Sequence, residues 1–222
     1  MLYDRVAVSA NIRNKDGKRV FYLGKGDQLT SEARDYLTRE RIELLPAEQA
    51  RPQRYQLLGG GYMEEKPEHM THLNAQVLVP KTHPRIAYRG AMDTLEAELL
   101  LCQLYAPQWE QELKEILAFA RRLLRCDVLE EPVPSMELCG MDEKQLRQRS
   151  HFPQNFYGQP HFMPDGQDGQ TVLWLNRARC AARHAELQAV AALPDREDML
   201  RAMNRLSSML YILMIREKAK QL

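Results

Sequence analysis

Three fixed positive charges fall within ten residues in the first half of the chain. Lys81, Arg85 and Arg89 carry them, and no Asp or Glu interrupts residues 81–90. A lysine ammonium is a compact charge for a phosphate oxygen, and an arginine guanidinium presents a planar fork of donors. The segment therefore indicates either a clamp for an anion or a solvated basic loop that leads into a helix.

A second group of charged residues lies on a predicted helix near residues 171–193. Arg179, Arg183 and Glu186 are four and three residues apart, which places them on one helix face, with Arg177 off that face. The alternative to an anion site is an exposed Arg–Glu pair, worth only a few tenths of a kcal/mol. Small neighbours would let an arginine head be enclosed: Ala178, Cys180, Ala181, Ala182 and Ala185.

The last predicted helix carries a polar stripe beside its apolar face. Asn204, Ser208 and Tyr211 recur at spacings of four and three residues. Such a stripe is typical of hydrogen bonds between helices, and ligand contact is the alternative. The apolar seam beside this stripe is predicted at Met199, Met203, Leu206, Leu210 and Leu213. The sequence does not decide what the polar groups next to it contact.

Metal and nucleophile chemistry find little support in the sequence. The six histidines form no HxxxH pair, and Cys102, Cys126, Cys139 and Cys180 are widely spaced with no CxxC motif. We therefore expect neither a zinc site nor a disulfide framework, and we read the cysteines as buried apolar residues.

The elements that must position these residues divide the chain. Residues 1–46 predict a small ββαβ unit, with a hairpin of Tyr3–Ser9 and Val20–Leu23 turning at residues 14–18, and a helix capped by Thr30. Residues 47–66, with Pro52 and three consecutive glycines, predict a linker or loop.

Residues 67–222 have the apolar periodicity of helices. We predict long helices from Met92 to Cys102, ending before Pro107, and at Trp109–Val128, Thr171–Leu193 and Arg196–Lys220, a short helix at Asp142–Arg149 and a loop at His151–Gly169. The fold class is mainly α: a five-helix bundle with a small N-terminal α+β extension.

Composition excludes several classes of protein. The 222 residues carry a formal net charge of +1, with 44% hydrophobic and 27% charged residues. This balance disfavours binding of nucleic acid through bulk charge, and no run is apolar enough to span a bilayer. The first residues do not form a secretory signal, so we expect a cytoplasmic protein with no nucleic-acid or membrane partner.

Three motifs recur in a fixed order along the chain. The first comprises Thr71-His72-Leu73, Val79-Pro80-Lys81, Arg85, Gly90 and Asp93. The second is Arg179-x-x-x-Arg183-x-x-Glu186, and the third is Met203-Asn204-Arg205-Leu206-Ser207-Ser208. In residue type, spacing and order these motifs resemble those of ATP:corrinoid adenosyltransferases, in their ethanolamine-utilization (EutT) type.

The resemblance implies a reaction and residues for it. The 5′-deoxyadenosyl group of ATP would pass to cob(I)alamin with release of tripolyphosphate, in support of ethanolamine catabolism, and Mg²⁺ would accompany the nucleotide. The implied ATP-binding residues are Thr71, Lys81, Arg85, Arg183 and Asn204. The implied catalytic set is Arg183, Asp93, Arg179 and Glu186.

The resemblance also implies partners. Asp93 and Arg179 match residues that pair across a subunit boundary, so we expect a homo-oligomer with active sites between chains. A corrinoid reductant is required, and components of an ethanolamine microcompartment are candidate partners. Residues 47–66 hold no His and no Cys, where EutT proteins can carry a metal-binding cluster, so we expect no metal held by the protein.

The corrinoid needs an apolar wall. The candidate for this wall is the densest aromatic cluster of the chain: Phe152, Phe156, Tyr157 and Phe162. The alternative is that these residues cap the core. A bundle that binds ATP or corrinoid without catalysis, to store or deliver the cofactor, is the competing hypothesis for the whole chain, because it would need the same cations.

Overall fold

The computed structural model describes residues 1–15, 17–50 and 55–221. Two compact units divide the chain at residue 54, Met1–Arg54 and Tyr55–Leu222. Asp16 of the predicted turn, Pro52 of the predicted linker and the last bundle residue, Leu222, lie outside the described residues.

The first unit contains a ββαβ core. An antiparallel hairpin joins β2 (Arg13–Lys15) to β3 (Lys18–Leu23), α2 spans Ser31–Arg39, and β5 (Glu43–Pro46) pairs with β3 in parallel. The Thr30 hydroxyl accepts from the Ala33 N–H at 3.2 Å, so the predicted N-cap of α2 is confirmed.

The prediction of a strand at Tyr3–Ser9 is wrong. Residues Arg5–Ala10 form helix α1, whose first turn is capped by Asp4, the acceptor of the Ala7 N–H at 2.8 Å. Only the start of this segment is extended, since β1 (Leu2–Tyr3) pairs in parallel with β4 (Gln28–Leu29). A capping carboxylate therefore outweighed a short alternation of polar and apolar residues.

A four-stranded sheet opens the second unit. Its strands are β6 (Tyr55–Leu57), β7 (Tyr62–Met63), β8 (Met70–His72) and β9 (Val77–Pro80), in the order β7-β6-β9-β8. Strands β6 and β7 lie in the segment predicted as linker, which also holds a 3₁₀ turn at Ala47–Gln49. Residues 55–63 thus belong to the sheet that precedes the helices.

The helices follow the predicted order with shifted bounds. They are α3 (Pro84–Tyr105), α4 (Glu110–Leu129), α5 (Glu143–His151), α6 (Pro153–Tyr157), α7 (Gly169–Ala192) and α8 (Glu197–Ala219), with a short hairpin of β10 (Glu137–Leu138) and β11 (Met141–Asp142) before α5.

Two predictions change here. Within the described residues the second unit has six helices rather than five, because α6 forms inside the predicted aromatic loop. The basic segment is not a loop throughout, since α3 begins at Pro84. None of the helices in the described residues combines the length and apolarity needed to cross a bilayer.

Helix α8 lies at the centre of the bundle, where α4, α5, α6 and α7 pack around it. Its predicted seam is confirmed, since these residues are fully buried: Met199, Met203, Leu206, Leu210 and Leu213. Helix α7 faces the core with alanines 178, 182, 185 and 189, whose small side chains allow close approach of its backbone to α3 and α8.

A buried carboxylate joins the start of α3 to the end of α4. Asp127 is completely buried; its Oδ1 accepts from Arg85 Nε at 2.9 Å and its Oδ2 from Arg89 Nε at 2.7 Å. Arg85 also reaches Glu130 and the Asp127 carbonyl, while Arg89 Nη1 donates to the Leu73 carbonyl at 2.8 Å. The β8–β9 hairpin is thereby tied to both helices.

Replacing Asp127 with alanine should destabilise the protein strongly. Two largely buried guanidinium groups would lose their carboxylate, which costs about 3–5 kcal/mol. The matched control is Glu130→Ala, which removes an exposed partner of the same Arg85 and should cost less than about 1 kcal/mol. Urea unfolding of both variants measures the difference, and equal losses would contradict this account.

Candidate active site

The β8–β9 hairpin carries two of the residues predicted to bind ATP. Thr71 on β8 is half-buried and pairs with Val79, and the Lys81 N–H donates to the His69 carbonyl at 2.8 Å. The Lys81 side chain is 57% exposed, and the Glu68 carboxylate lies 4.0 Å from its ammonium. Thr71 and Lys81 therefore sit at neighbouring positions of one hairpin, and Lys81 keeps a solvated charge.

The predicted cationic clamp is mostly neutralised by α4. Arg85 directs three N–H groups to Asp127 and Glu130, and Arg89 is paired with Asp127. Binding of ATP by Arg85 would require its guanidinium to leave these partners. Of the three cations in residues 81–90, only Lys81 is without a close buried carboxylate.

The arginines of α7 have different surroundings. Arg177 forms a bidentate pair with Glu98 of α3, at 2.6 and 2.8 Å, and Arg179 donates to the Asn176 side chain at 2.9 Å. Arg183 is exposed and has no hydrogen-bond or ion-pair partner in the part of the chain that the structure describes. Of the two arginines whose heads were expected to be enclosed by small residues, Arg179 is half-buried, whereas Arg183 is exposed.

Glu186 and Asn204 come together between α7 and α8. Asn204 Nδ2 donates to Glu186 Oε1 at 2.7 Å, and the Ser207 hydroxyl donates to Glu186 Oε2 at 3.3 Å. Arg205 Nη1 donates to Asn204 Oδ1 at 2.8 Å. Hydrogen bonds therefore hold both ends of the Asn204 amide, and its partner Glu186 lies one helical turn after Arg183 on α7.

Asp93 lies apart from these groups. Its side chain is exposed on α3 and has no partner among the described residues, and Arg179 does not reach it within one chain. The expected Asp93–Arg179 pair thus stays a prediction about contact between two chains.

The aromatic cluster is divided between surface and core. Phe152 and Phe156 are 59% and 46% exposed, whereas Tyr157 and Phe162 pack against the core. Phe156 and Tyr157 lie on α6, so the expectation that these aromatic residues follow a helix in a loop is wrong for them. Arg149 stacks over the Phe156 ring at 5.2 Å. Two of the four aromatic rings could form an apolar wall.

Tyr211 anchors the segment that follows α6, a contact that sequence reasoning missed. The Tyr211 hydroxyl lies 2.8 Å from His161 Nδ1, and His161 Nε2 lies 3.0 Å from the His151 carbonyl. Because a carbonyl only accepts, Nε2 carries the proton and Nδ1 accepts from Tyr211. Burial raises the pKa of Tyr211, which keeps it protonated as the donor.

Metal binding and catalysis by a cysteine thiolate find little support among the described residues. Among the described residues no three His, Cys, Asp or Glu side chains gather as a metal site requires. Burial raises the pKa of Cys102 and of Cys139 to about 12, so both thiols stay protonated at neutral pH.

Residues 61–217 match the family model of cobalamin adenosyltransferases. The chain belongs to this family. Corrinoid adenosyltransferase EutT of Salmonella typhimurium is 32% identical over 163 residues, which cover 70% of this chain and 61% of that protein. EutT of Escherichia coli K12 is 31% identical over 164 residues, 71% of this chain and 61% of that protein. The match therefore spans less than two thirds of these relatives.

Solved structures of this family share the fold. A variant PduO-type ATP:corrinoid adenosyltransferase from Lactobacillus reuteri, complexed with cobalamin and ATP, aligns with a TM-score of 0.51 at 18% identity, covering 76% of this chain and 88% of that one. A second variant, complexed with ATP, aligns with a TM-score of 0.50 at 19% identity, covering 69% and 92%. Both likenesses concern the fold alone.

Replacing Tyr211 with phenylalanine should loosen the segment that follows α6. The variant loses the hydrogen bond to His161, worth about 1 kcal/mol, and the amides of residues 158, 159, 161 and 162 should exchange hydrogen for deuterium faster. The matched control is Tyr157→Phe, since the Tyr157 hydroxyl has no partner among the described residues. Unchanged exchange in Tyr211→Phe would show that the contact does not hold the segment.

Proposed function

We propose that the chain is an ATP:corrinoid adenosyltransferase, which transfers the 5′-deoxyadenosyl group of ATP to cob(I)alamin and releases tripolyphosphate. Membership of the cobalamin adenosyltransferase family supports the reaction class. The residue assignment rests on the difference between two arginines of α7. Arg177 is paired with Glu98, whereas Arg183 lies next to the Glu186–Asn204 network and its charge is available to an anion.

The reaction asks the protein for positioning and electrostatics. The cobalt(I) electron pair forms the bond to C5′, the C5′–oxygen bond breaks, and its electrons leave with the triphosphate. No side-chain nucleophile is needed, in keeping with the raised pKa of the Cys102 and Cys139 thiols. The protein instead neutralises the leaving group and excludes water.

Lys81 and Arg183 are proposed to contact phosphate oxygens, with Thr71 and Asn204 as polar ligands of the nucleotide. Arg85 is proposed to act through the packing of α3 on α4, because its donors already serve Asp127 and Glu130. Mg²⁺ would be held by phosphate oxygens and water, because this ion keeps several of its waters and usually binds through the substrate phosphates.

The corrinoid is proposed to lie against Phe152 and Phe156, the two exposed rings of the aromatic cluster. An apolar wall there would favour loss of the lower ligand of cobalt and make cobalt(II) easier to reduce. Tyr157 and Phe162 would support this wall from the core side.

A homo-oligomer with active sites between chains is proposed to complete the site. Asp93 and Arg179 would pair across the boundary. Exposed apolar residues on α3 and α7 are consistent with such an interface: Leu100, Leu101, Leu104, Leu187 and Val190.

The similarity to EutT proteins supports a cytoplasmic role in ethanolamine catabolism, with a corrinoid reductant as partner and association with a microcompartment as a further proposal. The competing function is a bundle that binds ATP and corrinoid without catalysis. A spectrum separates them: with reductant, hydroxocobalamin and MgATP, the enzyme forms adenosylcobalamin, whereas binding without product would contradict transferase activity.

Replacing Arg183 with alanine should lower adenosylcobalamin formation at least about a hundredfold, because the positive charge proposed to stabilise the leaving triphosphate is removed. Arg177→Ala is the matched control on the same helix, since Arg177 is occupied by Glu98 and lies off the site face. Similar rates for the two variants would contradict the assignment of Arg183.

Exchanging the charges of Asp93 and Arg179 tests the subunit boundary. Asp93→Arg and Arg179→Asp should each reduce assembly and activity, because like charges would face each other, and the double variant should regain both. Light scattering gives the mass and the spectral assay the rate. Single variants of unchanged mass would overturn the predicted contact between chains.

A further inference from the structure

Arg205 is a buried cation that the family motif contains but for which the sequence suggested no role. It follows Asn204 on α8, and its side chain is 7% exposed. Its Nε is buried and has no hydrogen-bond partner among the described residues; the nearest carboxylate oxygen, Glu143 Oε1, is 3.7 Å away. Burial lowers the pKa of Arg205, and Glu143 and Glu186 oppose this shift.

A partly satisfied buried guanidinium is costly and calls for a reason. Its one short hydrogen bond, 2.8 Å from Nη1, goes to Asn204 Oδ1. The opposite end of that amide, Nδ2, donates to Glu186 at 2.7 Å. A flipped amide would set its NH₂ against the guanidinium and its oxygen against the carboxylate, and both contacts are repulsive.

An asparagine amide has two N–H donors and two lone pairs on oxygen. Glu186 takes one donor and Arg205 takes one lone pair, so one donor and one lone pair remain for a ligand. By holding the amide in this orientation, Arg205 determines which donor and which lone pair of Asn204 remain open to the nucleotide.

Resting on the proposed function, we propose that Arg205 is a positioning residue for adenosyl transfer: it orients the Asn204 amide toward ATP and links it through Glu143 to the first turn of α5. Glu143 follows Asp142, whose side chain caps α5 in a capping box with Gln145.

The chain offers a close control for the test. Arg201 lies one turn earlier on α8 and also approaches Glu143, at 3.9 Å, but it is 53% exposed and does not touch Asn204. Arg205→Lys should raise the KM for ATP about tenfold, the effect of one charged hydrogen bond. Arg201→Lys should leave it unchanged, and neither variant should change the KM for cobalamin.

A double-mutant cycle distinguishes positioning from a structural role. Arg205→Met and Asn204→Ala should each raise the KM for ATP, and the double variant should match Asn204→Ala alone, since Arg205 acts through that amide. Effects that multiply, or an Arg205→Lys variant with wild-type KM for ATP, would overturn the proposal. If Arg205→Met does not fold, Arg205→Lys replaces it in the cycle.

Failure of the proposed function has its own signature. A wild-type chain that binds ATP by calorimetry but forms no adenosylcobalamin contradicts the transferase, and the same cycle is then read in the Kd for ATP. Coupling of Arg205 and Asn204 in that Kd would still support the orienting contact, and additive effects would overturn it.

Discussion

The pairing of buried Asp127 with Arg85 and Arg89 is the constraint on which the entrance to the bundle depends. A fully buried carboxylate at the end of α4 is tolerable only because two guanidinium groups from α3 meet it. Arg89 extends the contact to the Leu73 carbonyl, so the hairpin that carries Thr71 and Lys81 is fixed to the same two helices. Two of the three positive charges of residues 81–90 therefore join the helices and the hairpin instead of remaining free for an anion.

A second constraint follows from the central position of α8. Helix α8 is packed by four other helices and buries 12 of its 23 residues, so the polar residues among them must find partners inside the protein. Asn204 and Ser207 meet Glu186, while Tyr211 meets His161. The polar side chains of α8 thus bind α7 on one side and the segment after α6 on the other. The proposed nucleotide and corrinoid regions are therefore both connected to α8.

Much of the second unit could be predicted from sequence, because long apolar periodicity reports helices well. The seam from Met199 to Leu213 was recoverable for that reason, and the Thr30 cap in the first unit was recoverable because threonine is a preferred residue at a helix N-terminus. Short elements were not: α1 and α6 are a few residues long, and local capping and packing decided them against a weak pattern. Strands β6 and β7 are two or three residues long, and β6 also depends on parallel pairing with β9 about 20 residues later, which residue types alone do not encode.

The sequence by itself determined the family motifs, the helical class and the positions of the charged residues, since these depend on residue type and local spacing. Only the tertiary structure decided which charges remain available. Arg85, Arg89 and Arg177 are paired by acids 42, 38 and 79 residues away in the chain, and Arg183 is not paired among the described residues. Electrostatic partners are set by distance in space, so a count of charges along the chain could not separate the arginines that are paired with an acid from the one that has no partner among the described residues.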